Sequence, residues 1–190
     1  MLVENGVLVM FLEDFSVPKQ KQVGGLWMKL TLAILCTMVF LVWAGVRGIN
    51  QIVFDRNCGG YLKRAADANT TELAAKNLET AMKYIKENGL TSGYTSILYR
   101  TPDEDVSFWH DNLNASLEEL RIIKSDATQL EKSNILIKLR ETLLDHKQDG
   151  VSVTKPSGIS IFPSNAVYMT WALLSFSIGI WCWITLLLDV

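Results

Sequence analysis

Residues 166–188 read AVYMTWALLSFSIGIWCWITLLL, 23 positions without one charged side chain. At 1.5 Å of rise per residue, a helix of this length crosses about 30 Å of hydrocarbon, the core of a bilayer. A buried helix in a water-soluble domain rarely needs so long an apolar run, so a transmembrane helix over 165–188 is expected. A second run lies toward the N-terminus. Residues 30–46, LTLAILCTMVFLVWAGV, are uncharged for 17 positions. Leu26, Trp27 and Met28 extend it if Lys29 snorkels its ammonium to the interface. A first span over 26–48 follows. It starts late for a cleaved signal sequence, although Ala44-Gly45 supplies small residues at its end, so it reads as a retained helix.

Two spans divide the chain into a tail (1–25), the first span (26–48), a polar region (49–150), a linker (151–164) and the second span (165–188). Between the spans, Arg47 to Lys155 holds fifteen Lys/Arg against sixteen Asp/Glu, interleaved in sign. That balance is ordinary for a solvated surface, and with a net charge of −2 the chain lacks the basic stripe of a nucleic-acid binder. Cys36 and Cys182 fall in the spans and read as small apolar filler. Cys58 alone lies in the polar region, so no disulfide is expected there. In the tail, Asn5-Gly6 between apolar residues is a hairpin signal that competes with a membrane-lying segment; such a tail is expected to rest on the bilayer or a neighbouring subunit.

Aromatic residues mark the span limits, as they do at membrane interfaces. Trp27 and Trp43 lie about 24 Å apart along a helix. Tyr168 and Trp171 stand at one end of the second span, Trp181 and Trp183 at the other. Each span also carries a seam of small residues: Ala172, Ser175, Gly179 and Cys182 at three- and four-residue steps in the second, and Ala33, Thr37, Ala44 and Gly48 at steps of four and seven in the first. Small faces let helices approach closely in lipid, where packing drives association, so these seams are expected to meet, within the chain or between subunits. Lys19, Lys21 and Lys29 precede the first span, which places both termini on the cytoplasmic side and the middle domain outside.

The middle region reads as helices. Asn57-Cys58-Gly59-Gly60 suggests a break after the first span. Asn69 is an N-cap candidate with Glu72 three residues on, and Ala75, Leu78, Met82 and Ile85 form an apolar stripe that Asn88-Gly89 ends. The connection 89–101 is long, and Tyr94, Ile97, Leu98 and Tyr99 are expected to pin it to the bundle. Thr101 and Pro102 open a helix whose stripe is Val106, Trp109, Leu113, Leu117 and Leu120. Ser125-Asp126 opens another with heptad-like Leu130, Ile137 and Leu144, ending at Lys147 and Gly150. Residues 151–163 alternate around Lys155-Pro156-Ser157-Gly158 and suggest a small hairpin or an extended strap. The expected fold is an all-α membrane protein: two transmembrane helices flanking an extramembrane three- or four-helix bundle, with a possible small β-hairpin near the membrane.

Catalytic motifs are missing from the sequence. It contains no glycine-rich phosphate loop, nucleophile elbow, CxxC or HExxH pattern. The acidic triplet Asp103-Glu104-Asp105 reads as helix capping, His146 as a helix-terminal partner, and His110 has no second ligand at metal spacing. No enzyme, cofactor, metal or nucleic-acid partner is therefore expected. The layout resembles that of bacterial sensory proteins such as chemoreceptors, which carry a periplasmic four-helix bundle between two spans. The resemblance is in plan, without a shared motif, and implies extracytoplasmic ligand sensing. Only Asp189-Val190 follow Leu188, so a sensor of this build would signal through a partner. A ring-forming pore lined by Thr31, Thr37, Ser175, Ser177 and Thr185 is a further reading. The leading expectation is a non-enzymatic membrane scaffold or accessory subunit, partnered by the lipid bilayer and by further copies of itself or another membrane protein.

Overall fold

Helix α1 (Lys19–Phe54) runs for 36 residues, well beyond the ~20 that a bilayer core requires. A π-helical turn, Asp55–Gly59, continues it into α2 (Gly60–Ala66) without interruption. The computed structural model describes residues 19–123, 126–147 and 150–188; the tail with Asn5-Gly6 and the expected cap residue Ser125 lie outside these. After α2 come α3 (Thr71–Glu87), α4 (Val106–Ile122), α5 (Gln129–Leu143), strands β1 (Leu144–Lys147) and β2 (Gly150–Val153), and α6 (Asn165–Leu188).

The double glycine therefore does not break the helix, contrary to the sequence reading. A π turn, closed by i→i+5 bonds, turns the chain less per residue than an α turn. Phe54, Cys58 and Leu62 follow one another at steps of four and are all buried in one core. At both glycines a side chain would be crowded. A Cβ on Gly59 would stand 3.1 Å from Asp55 Oδ1, and one on Gly60 the same distance from the Asp55 carbonyl oxygen.

The chain divides into two units, one holding the residues up to Val42 together with Trp171 onward, the other Trp43–Thr170. In the second unit, α2, α3, α4 and α5 pack in a ring, α2 and α4 each against α3 and α5. The stripe expected on α4 is buried in full: Val106, Trp109, Leu113, Leu117 and Leu120. On α3 the core face is Ala74, Leu78, Ala81, Met82 and Ile85, with Ala75 at its edge. The bundle is thus four-helical, its first member supplied by the continuation of the N-terminal helix.

Several local readings shift. Thr70, not Asn69, caps α3, its hydroxyl accepting from the Leu73 amide at 3.2 Å. Pro102–Glu104 is a separate 3-10 turn, and Asp105, in extended backbone, is the cap of α4. Helix α5 starts from a capping box in which Thr128 and Glu131 satisfy each other's amides. The heptad spacing on α5 misled, because Leu130 and Ile137 are 71% and 56% exposed. The inward face is Leu139 and Leu143, with Ile135 and Leu136 packed beside them. Leu144 is buried from the first position of β1, after the helix has ended.

A hairpin is present, but upstream of its expected place, with Leu144 paired to Val153 and Lys147 to Gly150. Gly150 has φ +133°, so the helix cannot run through it, and the stretch read as a helix end pairs as a hairpin instead. The ISIF segment forms a 3-10 turn, Ile159–Ile161, instead of a second strand.

In the first unit, α1 and α6 meet through small residues. Ala33, Cys36, Ser175 and Cys182 are buried there, and a Cβ on Gly179 would touch Cys36 Cβ at 3.6 Å. Phe40 and Phe176 lie against each other, ring centroids 5.6 Å apart. Replacing Gly179 by Ala should be tolerated, since 3.6 Å is ordinary contact. Gly179→Leu should cost about 1–3 kcal/mol by overpacking, read as a lower unfolding midpoint of the detergent-solubilised chain; an unchanged midpoint for the Leu variant would show that the two helices do not pack there.

Candidate functional site

The polar unit carries a groove of about 630 Å³ between the Pro102–Glu104 turn, the start of α4 and the segment 154–157. Its position follows from local capping. Asp105 ends the turn and opens α4 by accepting from the Ser107 amide at 2.8 Å and the Phe108 amide at 3.2 Å. That places Phe108 at the groove's rim, exposed, and Trp109 at its floor, buried. The opposite wall is tied down by Trp109, whose indole N–H donates to the Thr154 carbonyl at 2.9 Å. Thr154 in turn donates its hydroxyl to Asp145 Oδ1 at 3.1 Å and its amide to the Leu143 carbonyl at 2.9 Å.

Lys155 closes one end of this wall. Its ammonium bonds Asp55 Oδ1 at 2.5 Å and lies 5.1 Å from the centre of the Phe54 ring. Asp55 also accepts from Gln51 Nε2 at 2.8 Å, one turn earlier on α1. The π turn and the segment leading toward α6 are therefore joined by a charge-assisted contact, 100 residues apart in sequence. Lys155 and Asp55 carried no signal in the sequence, because Lys155-Pro156 read as turn chemistry and Asp55 as a helix residue before a break.

The groove is lined by Asp103, Glu104, Asp105 and Asp145, and three of these four carboxylates already have structural partners. Glu104 accepts from the Thr101 hydroxyl at 2.7 Å, Asp105 from two amides, and Asp145 from Thr154. The Phe108 amide, aided by that of Ser107, holds the Asp105 carboxyl below the usual carboxylate range. The reading of the triplet as capping thus applies to Asp105, whereas Glu104 accepts from the Thr101 side chain. The groove's walls offer shape and hydrogen-bond capacity, with the Thr101 and Thr154 hydroxyls each donating to a lining carboxylate. His110 lies next to it in sequence, its Nδ1 3.3 Å from Asp111 Oδ1. Among the described residues no group of three His, Cys, Asp or Glu could hold a metal ion.

The residues singled out on the apolar helices separate into two sets. Ala33, Ser175, Gly179 and Cys182 lie at the contact of α1 with α6, and Ala172 is half-buried beside them. Thr37 is exposed yet linked to α6, accepting from the Trp183 indole N–H at 3.2 Å. Ala44 and Gly48 face outward, with nothing within 4 Å of a Cβ on Gly48. Cys36 takes the inward position in α1 that the spacing had assigned to Thr37, because the contact follows a step of three from Ala33. Of the aromatic markers, Trp27, Trp181 and Trp183 are exposed, while Trp43, Tyr168 and Trp171 are half-buried. The Tyr168 hydroxyl accepts from Asn50 Nδ2 at 3.0 Å, and Arg47 lies 5.7 Å from the centre of the Trp43 ring.

Neither a protein-family model, nor a curated protein, nor a solved structure matches the chain.

The folded Asp105 carboxyl titrates below its unfolded value. Its contribution to stability is therefore complete above about pH 4 and disappears as pH falls through the folded value. Asp105→Asn keeps a good cap without the charge. The wild type should unfold at a higher temperature than Asp105→Asn at pH 7, and the gap should close by about pH 2; a gap independent of pH would show that the charge has no part in the cap.

Proposed function

We propose that the chain is a non-enzymatic, two-pass membrane protein that acts as a scaffold or accessory subunit, holding its helical domain at the bilayer surface for a partner to bind. The observation that carries this is the groove beside Trp109, three of whose four lining carboxylates are engaged by the chain's own hydroxyls and amides. Such a surface suits holding a segment of another molecule. The three lysines at 19, 21 and 29 favour cytoplasmic termini and an external domain. A few small residues of α6 meet α1 inside one chain, and the outward faces, including Ala44 and Gly48, are left for any contact with a further subunit.

Pore formation finds less support. Thr31, Thr37, Ser175 and Thr185 each donate their hydroxyl to a carbonyl of their own helix, at 2.8–3.0 Å. Hydroxyls satisfied in this way need no water column. Sensing remains the second reading, favoured by one fact: a groove of about 630 Å³ is of the size that takes a small molecule.

Mass measurement of the intact complex, taken from native membranes in mild detergent, tests the proposal. A scaffold or accessory subunit should travel in an assembly heavier than its own 21.3 kDa. Recovery of the bare chain would contradict it, and steady single-channel conductance from the purified protein would favour a pore.

A further inference from the structure

The connection between α3 and α4 does not lie down on the bundle as its composition suggests. Ile97, Leu98 and Tyr99 are 43%, 73% and 79% exposed, three consecutive large apolar residues turned outward. In a protein surrounded by water such a run is a liability unless it has a use. Looseness of the connection does not explain it, because its base is fixed. The Val106 amide donates to the Gly93 carbonyl at 2.9 Å, the Thr95 amide donates to the Glu104 carbonyl at 3.0 Å, and Tyr94 bridges to Asp105. Leu90 and Thr95 are buried, so the core does hold this segment and leaves its tip out.

The base also has an address. Gly93, at φ +107°, sits on the Phe162 ring so closely that a Cβ would stand 3.1 Å from Phe162 Cζ. Phe162 precedes the start of α6 at Asn165 by three residues. Leu98 is five residues from Gly93, at most about 17 Å of extended chain. The headgroup layer above the hydrocarbon is itself about 5–8 Å deep. Residues 88–101 contain no acidic side chain, and the one base, Arg100, lies 5.4 Å from the centre of the Tyr94 ring. Apolar tip, tyrosines and a single arginine make up the composition that membrane interfaces favour.

We infer that the Ile97–Leu98–Tyr99 tip is a third membrane contact, seated at the boundary of headgroups and acyl chains in the same bilayer that α1 and α6 enter. The inference rests on the membrane reading of those two helices. The tip sits in the outer layer with its side chains toward the acyl chains, while Arg100 remains among phosphates. The bundle is thereby held to the surface at a point other than its two covalent stems.

Nitroxide labels on the full-length protein in phosphatidylcholine–phosphatidylglycerol vesicles test it. Labels go on Leu98→Cys, on Leu173→Cys at an outward position of α6, and on Lys83→Cys on the solvated face of α3; Tyr99→Cys replaces Leu98→Cys if that variant folds poorly. Cys36, Cys58 and Cys182 are buried, and the unsubstituted protein gives their background labelling. Collision rates are read with oxygen, which concentrates in lipid, and with a water-soluble nickel chelate. The oxygen-to-nickel ratio at Leu98 should exceed that at Lys83 several-fold and approach that at Leu173. A Leu98 ratio equal to that of Lys83, beside a lipid-like Leu173, would overturn the inference alone. Shielding of Leu98 from both reagents would overturn it in favour of a protein cover. A water-like Leu173 would instead remove the membrane reading on which it stands.

Discussion

The solvent that two helices require governs everything else in this molecule. Leu35, Met38, Leu41 and Val42 on α1, and Leu173, Leu174, Phe176 and Leu187 on α6, all turn their side chains outward. Only 11% of the most apolar stretch of the N-terminal helix, and 22% of that of α6, is buried within the chain. A core helix of a soluble protein would be mostly enclosed. Exposed apolar surface on this scale is costly in water and costs nothing in lipid. The backbone meets the same demand, since a continuous helix satisfies every amide internally, and the hydroxyls of Thr31, Thr37, Ser175 and Thr185 fold back onto their own helices. The architecture suits a membrane-associated protein.

The second consequence concerns the polar domain, whose first helix continues from α1 through the π turn. The stem that begins in α1 becomes one wall of the bundle, and the π turn allows it to do so. By widening one turn, it brings Phe54, Cys58 and Leu62 onto a common face. Asp55, released to the outer side of that turn, then takes up Lys155 from the segment before α6. The ion pair is half-exposed and contributes little to stability on its own. Its value is geometric, because it places the 154–157 wall of the groove against the stem, and Trp109 holds the same wall from within.

The apolar spans were legible in the sequence because length and absence of charge are cumulative signals, and no single residue decides them. The α4 stripe was legible for a similar reason: five apolar positions agree on one face. Where a reading rested on one or two residues, neighbours competed for the role. Thr70 displaced Asn69 as a cap, and Asp105 displaced Thr101, since a cap is chosen by backbone conformation and several adjacent residues have suitable side chains. Gly59-Gly60 looked like a break because glycine usually lowers helix stability, but here it removes the Cβ atoms that would strike Asp55. Leu130 and Ile137 kept heptad spacing yet face outward, because the three-dimensional ring of helices, and not the spacing, decides which side is enclosed. The groove had no sequence signal at all. It is assembled from a turn, a helix start and a strap, joined by Trp109 and Thr154 side-chain bonds whose partners lie far off in the sequence or on the main chain.

Washing native membranes at alkaline pH and sedimenting them measures the central claim directly. With lipid as the solvent around α1 and α6, the full chain stays in the pellet and leaves it only with detergent. Release of the chain into the supernatant, folded and without detergent, would contradict that claim and with it the assignment of both apolar helices to a bilayer.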